Sequence, residues 1–231
     1  LDKTYKIEMR INCFIIMYNR LTYPKNMAEF LSDHNINVIM IDNNSTYQPL
    51  LDWYKKCPYK VYRLKENLGH KCLYSSKIID EYNDQYYILT DHDLDISHIP
   101  SDFVEVLMMG THSPNVIKSG LSLEIDDLPD NEYAKKAYDW EINYWTRPLD
   151  KNGFYISEVD TTFAIYDRKK EYHEFPETDK FFQAVRSPRP YTARHLPWYN
   201  TGDNITEEEI YYIKSTNTYW LGKFKEINNI N

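Results

Sequence analysis

Cysteine is scarce in this chain, and long runs of any one residue class are missing. The three cysteines among 231 residues, Cys13, Cys57 and Cys72, are an odd number without metal-site spacing. They offer neither a disulfide framework nor a zinc centre, and read as reduced thiols in a reducing, cytoplasmic compartment. No apolar run approaches the roughly 20 residues that span a bilayer, so no transmembrane segment is expected; no signal-peptide pattern opens the chain either. Basic runs are also lacking: 27 Lys and Arg stand against 35 Asp and Glu, a formal net charge of -8. That balance argues against nucleic acid as the main partner. Internal repeats, low-complexity tracts and linkers are absent, so one domain over residues 1–231 is expected. The chain opens on Leu1 rather than Met, as expected of a domain cut from something longer.

What is present is the pattern of a globular α/β protein. Hydrophobic residues make up 42% of the chain, enough for a sizeable core. "INCFIIMY" (Ile11 to Tyr18) is a nearly continuous apolar run, the mark of a strand buried on both faces. A helix follows over "LTYPKNMAEFLSDHN", then a second buried strand, "NVIMID", ending in the turn formers "NNST". "LLDWYKKC" reads as a helix, "KVYRL" as a strand, "HKCLYSSKIIDEYN" as a helix and "QYYILT" as a fourth strand. The later half gives a helix at "DFVEVLMM", a strand at "NVIKSGLSLEI" and a helix at "NEYAKKAYDWEINYW", with Tyr133, Ala137, Trp140 and Tyr144 on its core face. "DTTFAIY" (Asp160 to Tyr166) reads as a strand and "TEEEIYYIK" as a short helix. Strands and helices alternating at this spacing predict a mostly parallel, Rossmann-like sheet flanked by helices.

Ligands of such sheets bind beyond the carboxyl ends of the strands. That rule gathers four polar strand ends onto one rim: Asn19-Arg20, Asp42-Asn43-Asn44, Asn67 to His70, and Asp91-His92-Asp93. In "ILTDHDLDI" a hydrophobic strand runs straight into Asp91, Asp93 and Asp95. Carboxylates this close repel by about 1 kcal/mol per pair at 4 Å in water, so something must neutralise them. Asp91 and Asp93, two residues apart on an extended segment, share a face. Hard oxygen ligands suit Mg²⁺ or Mn²⁺, which take one or two protein carboxylates and fill the shell from phosphates and water. The bland reading is a polar loop with a helix-capping Asp. Asp42, closing the second strand, is placed to accept from a ribose or a base edge; Asn43 and Asn44 are ordinary turn formers.

In order along the chain, "MYNR", "IDNNST", "ENLGH" and "TDHD" resemble the nucleotide-sugar half of a GT-A-fold glycosyltransferase of the family-2-like type. "SGLSLEIDDLP", "YWTRP", "EVDTTFAIYDR" and "YTARHLPWY" resemble segments of a bacterial and viral branch of that group. The resemblance runs from about Ile11 to Tyr199, and implies a nucleotide-sugar half over about residues 8–98 with an acceptor half over about 99–231. It implies that Asp42 meets the nucleoside, that Asn19 and Arg20 line the same pocket, and that Asn67 and Gly69 shape the loop beneath the nucleotide. Asp91 then lies by the ribose or metal, and Asp93 holds the metal that bridges the diphosphate. His92, bulkier than the residue usual between the two acids, is expected to face solvent. GT-A enzymes often add a late His to the metal, a role the resemblance gives His195, with Arg194 beside it as a phosphate partner. Trp198 and Tyr199 are candidates to stack on a sugar.

Transfer to a hydroxyl needs a proton acceptor. "EVDTTFAIY" supplies Asp160, favoured by resemblance, and Glu158; Asp126 and Asp127 compete. The implied activity is a metal-dependent, inverting transfer from a nucleotide-diphosphate sugar, UDP being the commonest in such folds, to a glycan or other hydroxyl acceptor. A sugar nucleotidyltransferase would carry a Gly-rich phosphate loop after the first strand, and "MYNRLTYP" has no glycine. A degenerate fold that only binds nucleotide-sugar or carbohydrate is the alternative.

Overall fold

All six residues of strand β1 (Asn12–Met17) are buried, as two-sided coverage demands. The strand's alternation splits it between two cores: Cys13, Ile15 and Met17 pack on one face of the sheet, Phe14 and Ile16 on the other. The computed structural model describes residues 10–113, 115–170, 183–201, 204–216, 222 and 224–226. From β1 the chain passes through α1 (Thr22–Asp33), β2 (Asn37–Asp42), α2 (Gln48–Tyr54), β3 (Lys60–Arg63), a single turn α3 (Cys72–Ser75) and β4 (Tyr86–Asp91). Strand β1 lies parallel to β2 and β4, with Met17 opposite Asp42 and Ile16 opposite Asp91. The carboxyl ends of these strands therefore finish level, which builds the expected rim.

The remaining elements are β5 (Leu94–Asp95), α4 (Phe103–Thr111), β6 (Lys118–Gly120), β7 (Ser122–Leu123), α5 (Glu132–Trp145), β8 (Tyr155–Ile156), β9 (Ala164–Asp167), β10 (Ala184–Arg186), β11 (Thr192–His195) and α6 (Glu207–Ser215). The central sheet has eight strands in the order β3-β2-β1-β4-β9-β6-β10-β8, and β5-β11-β7 form a small second sheet. Strand β9 runs against both of its neighbours. The result is a mixed α/β fold with a mostly parallel central sheet. Among the described residues no helix is long and apolar enough to cross a membrane.

Several elements differ from the sequence reading. The helix expected over residues 70–83 is broken into short turns, because Lys77 sits in the left-handed region at φ 59°. The strand expected over 115–125 is divided at Leu121, so that β6 joins the central sheet and β7 the small one. Strand β9 begins at Ala164, leaving Asp160 and its neighbours in a loop. On α5, Tyr133 and Ala137 are buried as expected, but Trp140 is 52% exposed; helical spacing puts it at the edge of the buried stripe rather than within it. His92 is buried rather than solvent-facing, its Nδ1 held 2.8 Å from the Ile16 carbonyl.

Candidate active site

A cavity of about 580 Å³ opens at the carboxyl ends of the parallel strands, a size that suits a small-molecule ligand. The strand ends contribute Arg20, Asn43, Asn67, Gly69, Asp91, His92 and Asp93 to its wall. The loop before β9 adds Glu158, Asp160 and Thr162, β10 adds Arg186, β11 adds His195, and α5 adds Trp140, Glu141 and Tyr144. Of the candidates read from sequence, Asn19, Asp42, Asp126, Asp127, Arg194 and Tyr199 are not in this wall, whereas Trp198 is.

The three alternate acids meet three different surroundings. Asp95 faces Arg194 at 3.5 Å and accepts from the Ser97 amide. Asp93 Oδ2 takes Arg20 Nη1 at 2.8 Å and lies 3.7 Å from His195 Nε2. Burial alone would raise the Asp93 carboxyl, but His195 and Arg20 overcome it and hold that carboxyl low. Asp91 has no such close ion pair: burial, then repulsion from Asp93 and Asp160, drives its carboxyl upward, opposed by the hydroxyl of Thr161, which donates to Oδ2 at 2.8 Å, and by the charge of Lys118. His195 itself is lowered, chiefly by burial and against the attraction of Asp93.

Arg20 is fully buried and links the loop after β1 to α6. Its Nε and Nη2 donate to Glu209 Oε1 and Oε2 at 2.7 and 2.8 Å, and the Tyr212 ring lies 3.5 Å from its guanidinium carbon. Such a two-pronged pair fixes the plane of the guanidinium. Neighbouring Glu208 accepts from the Thr22 amide at 2.9 Å, closing the start of α1, where no side chain of its own caps the helix. Glu209, which positions Arg20 without lining the cavity, was missed by sequence reasoning; in "TEEEI" nothing local distinguishes it from a solvated acid.

The other strand-end residues chiefly shape the rim. Asn19, at φ 47°, accepts from the amides of Thr46 and Tyr47 at 2.7 and 3.1 Å. Asp42 is fully buried and accepts from Arg63 Nε at 3.1 Å and the Tyr54 hydroxyl at 3.3 Å. Asn43 accepts from the Leu68 amide and donates to the Gly69 carbonyl, while Asn67 accepts from the Gly69 amide at 2.8 Å. Gly69 takes φ +65°, which a side chain would resist. Arg194 pairs with Asp127 at 2.7 Å, outside the cavity.

Behind the lining residues, Lys118 Nζ donates to the Asp160 carbonyl at 3.2 Å. Burial pushes this ammonium down to about 8, against the attraction of Asp160. Arg186, also buried, donates through Nε to the Glu158 carbonyl at 2.7 Å and through Nη1 to Glu141. Neither residue was read from sequence: a single Lys in "NVIKSG" and a single Arg before "SPRP" carry no local signal.

The resemblance implies a divalent metal. Two cavity-lining groups, His195 Nδ1 and Thr162 Oγ1, are buried without a hydrogen-bond partner among the described residues. Asp91, Asp93 and His195 offer oxygen and imidazole donors of the kind Mn²⁺ accepts. Among the described residues no three His, Cys, Asp or Glu side chains converge enough to hold a metal alone. A partial set still fits an ion that completes its shell with phosphate and water.

No family model matches the chain. A curated relative, the uncharacterized protein L142 of Acanthamoeba polyphaga mimivirus, is 24% identical over 183 residues, covering 71% of this chain and 35% of that protein. The chain thus spans about a third of that relative's length. Similar solved structures include these two. One is S. aureus TarS, with TM-score 0.51 and 14% identity over 96% of this chain and 43% of that one. The other is GalNAc-T7 with UDP, GalNAc and Mn2+, with TM-score 0.55 and 12% identity over 95% of this chain and 48% of that one. At such identities the likeness concerns the fold, and the fold is the GT-A fold of glycosyltransferases.

Proposed function

We propose that this chain is a metal-dependent glycosyltransferase that moves a sugar from a nucleotide-diphosphate sugar, with UDP the leading nucleotide, to a hydroxyl of a glycan or other acceptor, inverting the anomeric carbon. The observation that carries the reading is that one cavity at the strand ends is lined by Asp91, Asp93 and His195 together with Glu158 and Asp160. Residues of about 8–98 form the nucleotide half and about 99–231 the acceptor half. Asn67 and Gly69 shape the loop under the nucleotide, and Asp42 and Asn19 act by holding the rim. Bound at Asp91, Asp93 and His195, Mn²⁺ or Mg²⁺ would supply positive charge to the departing diphosphate. Asp160, with Glu158 as the second choice, accepts the proton of the attacking hydroxyl. Asp126 and Asp127 are occupied by Arg189 and Arg194 and lie outside the cavity wall. All three cysteines are free, in keeping with a reducing, cytoplasmic setting.

Calorimetric titration of UDP and of GDP, each with Mn²⁺ and with EDTA, tests the donor site. One nucleotide should bind only with metal, and Asp93→Ala should abolish that binding. A second reading, a degenerate fold that binds without catalysis, is favoured by one observation: Arg20 already compensates Asp93. A tight nucleotide complex indifferent to EDTA and to Asp93→Ala would decide for it.

A further inference from the structure

We infer that Glu209 is a positioning residue for the donor-site metal: by gripping the guanidinium of Arg20 from the far side, it leaves Asp93 the negative charge needed to hold a divalent cation. The inference rests on the metal-dependent reading above and deepens it, adding a residue of α6 that sets how tightly the metal binds.

The charges of the clasp do not cancel. Asp93 and Arg20 by themselves form a neutral pair, with Nη1 2.8 Å from Oδ2. The oxygen that Arg20 takes is also the one turned toward His195 Nε2, at 3.7 Å. A guanidinium keeps its charge at every working pH, and away from solvent that charge is little screened. Paired with Asp93 alone, Arg20 would repel a second cation and compete with it for the carboxylate. Glu209 changes the count. Its two oxygens accept from Nε and Nη2 at 2.7 and 2.8 Å, so two carboxylates surround one guanidinium and the cluster keeps one negative charge.

Glu209 acts through Arg20 rather than on a ligand. It is buried and does not line the cavity, whereas Arg20 and Asp93 do. Its place is fixed from its own side: its amide donates to Thr206 Oγ1 at 3.2 Å, and Asn200 Nδ2 donates to its Oε2 at 3.2 Å. Helix α6 is tied in turn to the loop after β1. The Tyr18 hydroxyl donates to the Ser215 carbonyl and Asn19 Nδ2 to the Ser215 hydroxyl, both at 3.0 Å.

The preceding residue supplies a control. Glu208 is also buried, but its carboxylate accepts from the amide and the hydroxyl of Thr22, at 2.9 and 3.1 Å. Two acids side by side on one helix thus serve different ends, one tying α6 to α1 and the other balancing Arg20.

The test measures Mn²⁺ binding directly, from the electron paramagnetic resonance signal of the free ion in titrations of the full chain, alone and with UDP. Wild type, Glu209→Gln, Glu209→Asp, Glu208→Gln and the double variant Arg20→Gln/Glu209→Gln are compared once urea unfolding shows each to be folded. Glu209→Gln keeps an acceptor for Arg20 but loses the charge, and Mn²⁺ affinity should fall about tenfold, a change of about 1.4 kcal/mol. Glu209→Asp retains the charge, and Glu208→Gln removes the same charge away from Arg20; both should stay within about threefold of wild type. The double variant loses cation and anion together, so its affinity should return to the wild-type value or above. A role confined to packing would leave the double variant as weak as Glu209→Gln or weaker. Equal affinity in wild type and Glu209→Gln, an equal loss in Glu208→Gln, or a folded Glu209→Asp or double variant no tighter than Glu209→Gln would each overturn the inference. Those results leave the metal-dependent reading standing. A wild type that binds no Mn²⁺, alone or with UDP, would instead sink that reading and the inference with it.

Discussion

Arg20 is a cation without solvent, held between Asp93 and Glu209 under the Tyr212 ring. Breaking one side of a buried pair leaves an uncompensated charge, so Arg20→Met should lose about 3–5 kcal/mol in urea unfolding. Lys118 gives a prediction in pH. Its folded value lies near 8, depressed by burial from the ordinary 10.5. Between those two values the unfolded state binds more protons than the native state, so its contribution to stability rises with pH. Unfolding of wild type and Lys118→Met at pH 7.5, 8.5 and 9.5 should show the wild type gaining on the variant as pH rises, by up to about 3 kcal/mol across the full window. A flat difference would mean the ammonium is not desolvated. Asp160→Asn should lower turnover by about 10²–10⁴ with nucleotide affinity intact, the range expected for a lost general base. At this scale the strand-end acids were legible because a carboxylate after a buried strand is locally anomalous. Lys118, Arg186 and Glu209 were not, because their partners are set by which distant strands and helices meet.

Elements with a strong period were read correctly: β1, β2 and β4 are apolar runs closed by polar turns, and α5 has an Asn131 cap accepting from the Ala134 amide at 2.8 Å. Elements whose identity depends on neighbours were not. Residues 70–83 have a helical composition, yet the left-handed Lys77 breaks them, and "NVIKSGLSLEI" has no internal mark of the change of sheet at Leu121. The break sets Gly120 against the loop that carries Asp160. A Cβ there would meet Val159 Cγ1 at 2.5 Å and the Phe163 carbonyl at 3.2 Å. Gly120→Ala should therefore cost about 1–3 kcal/mol by overpacking, and slow transfer by shifting the Asp160 loop while the donor wall keeps its nucleotide affinity. Stopped-time transfer assays beside calorimetry separate the two; a parallel fall in both would mean the whole cavity had moved.

For the whole molecule, the donor wall joins strand ends that the fold alone holds together, so a nucleotide should report on global stability. At a hundred times its dissociation constant a ligand adds about 2.7 kcal/mol. For a chain of 231 residues that is a rise of about 5–10 °C in Tm, expected with UDP and Mn²⁺ and absent with EDTA. The clasp of Arg20 on Glu209 spans 189 residues of sequence, and that separation sets a timetable for synthesis. By the time Asp93 has left the ribosome, every parallel strand of the donor wall exists. The carboxylate that holds Arg20 in place does not exist until α6 is translated. A nascent chain thus carries its acids before their cation is secured, and Arg20 is clasped from both sides only once α6 has been made.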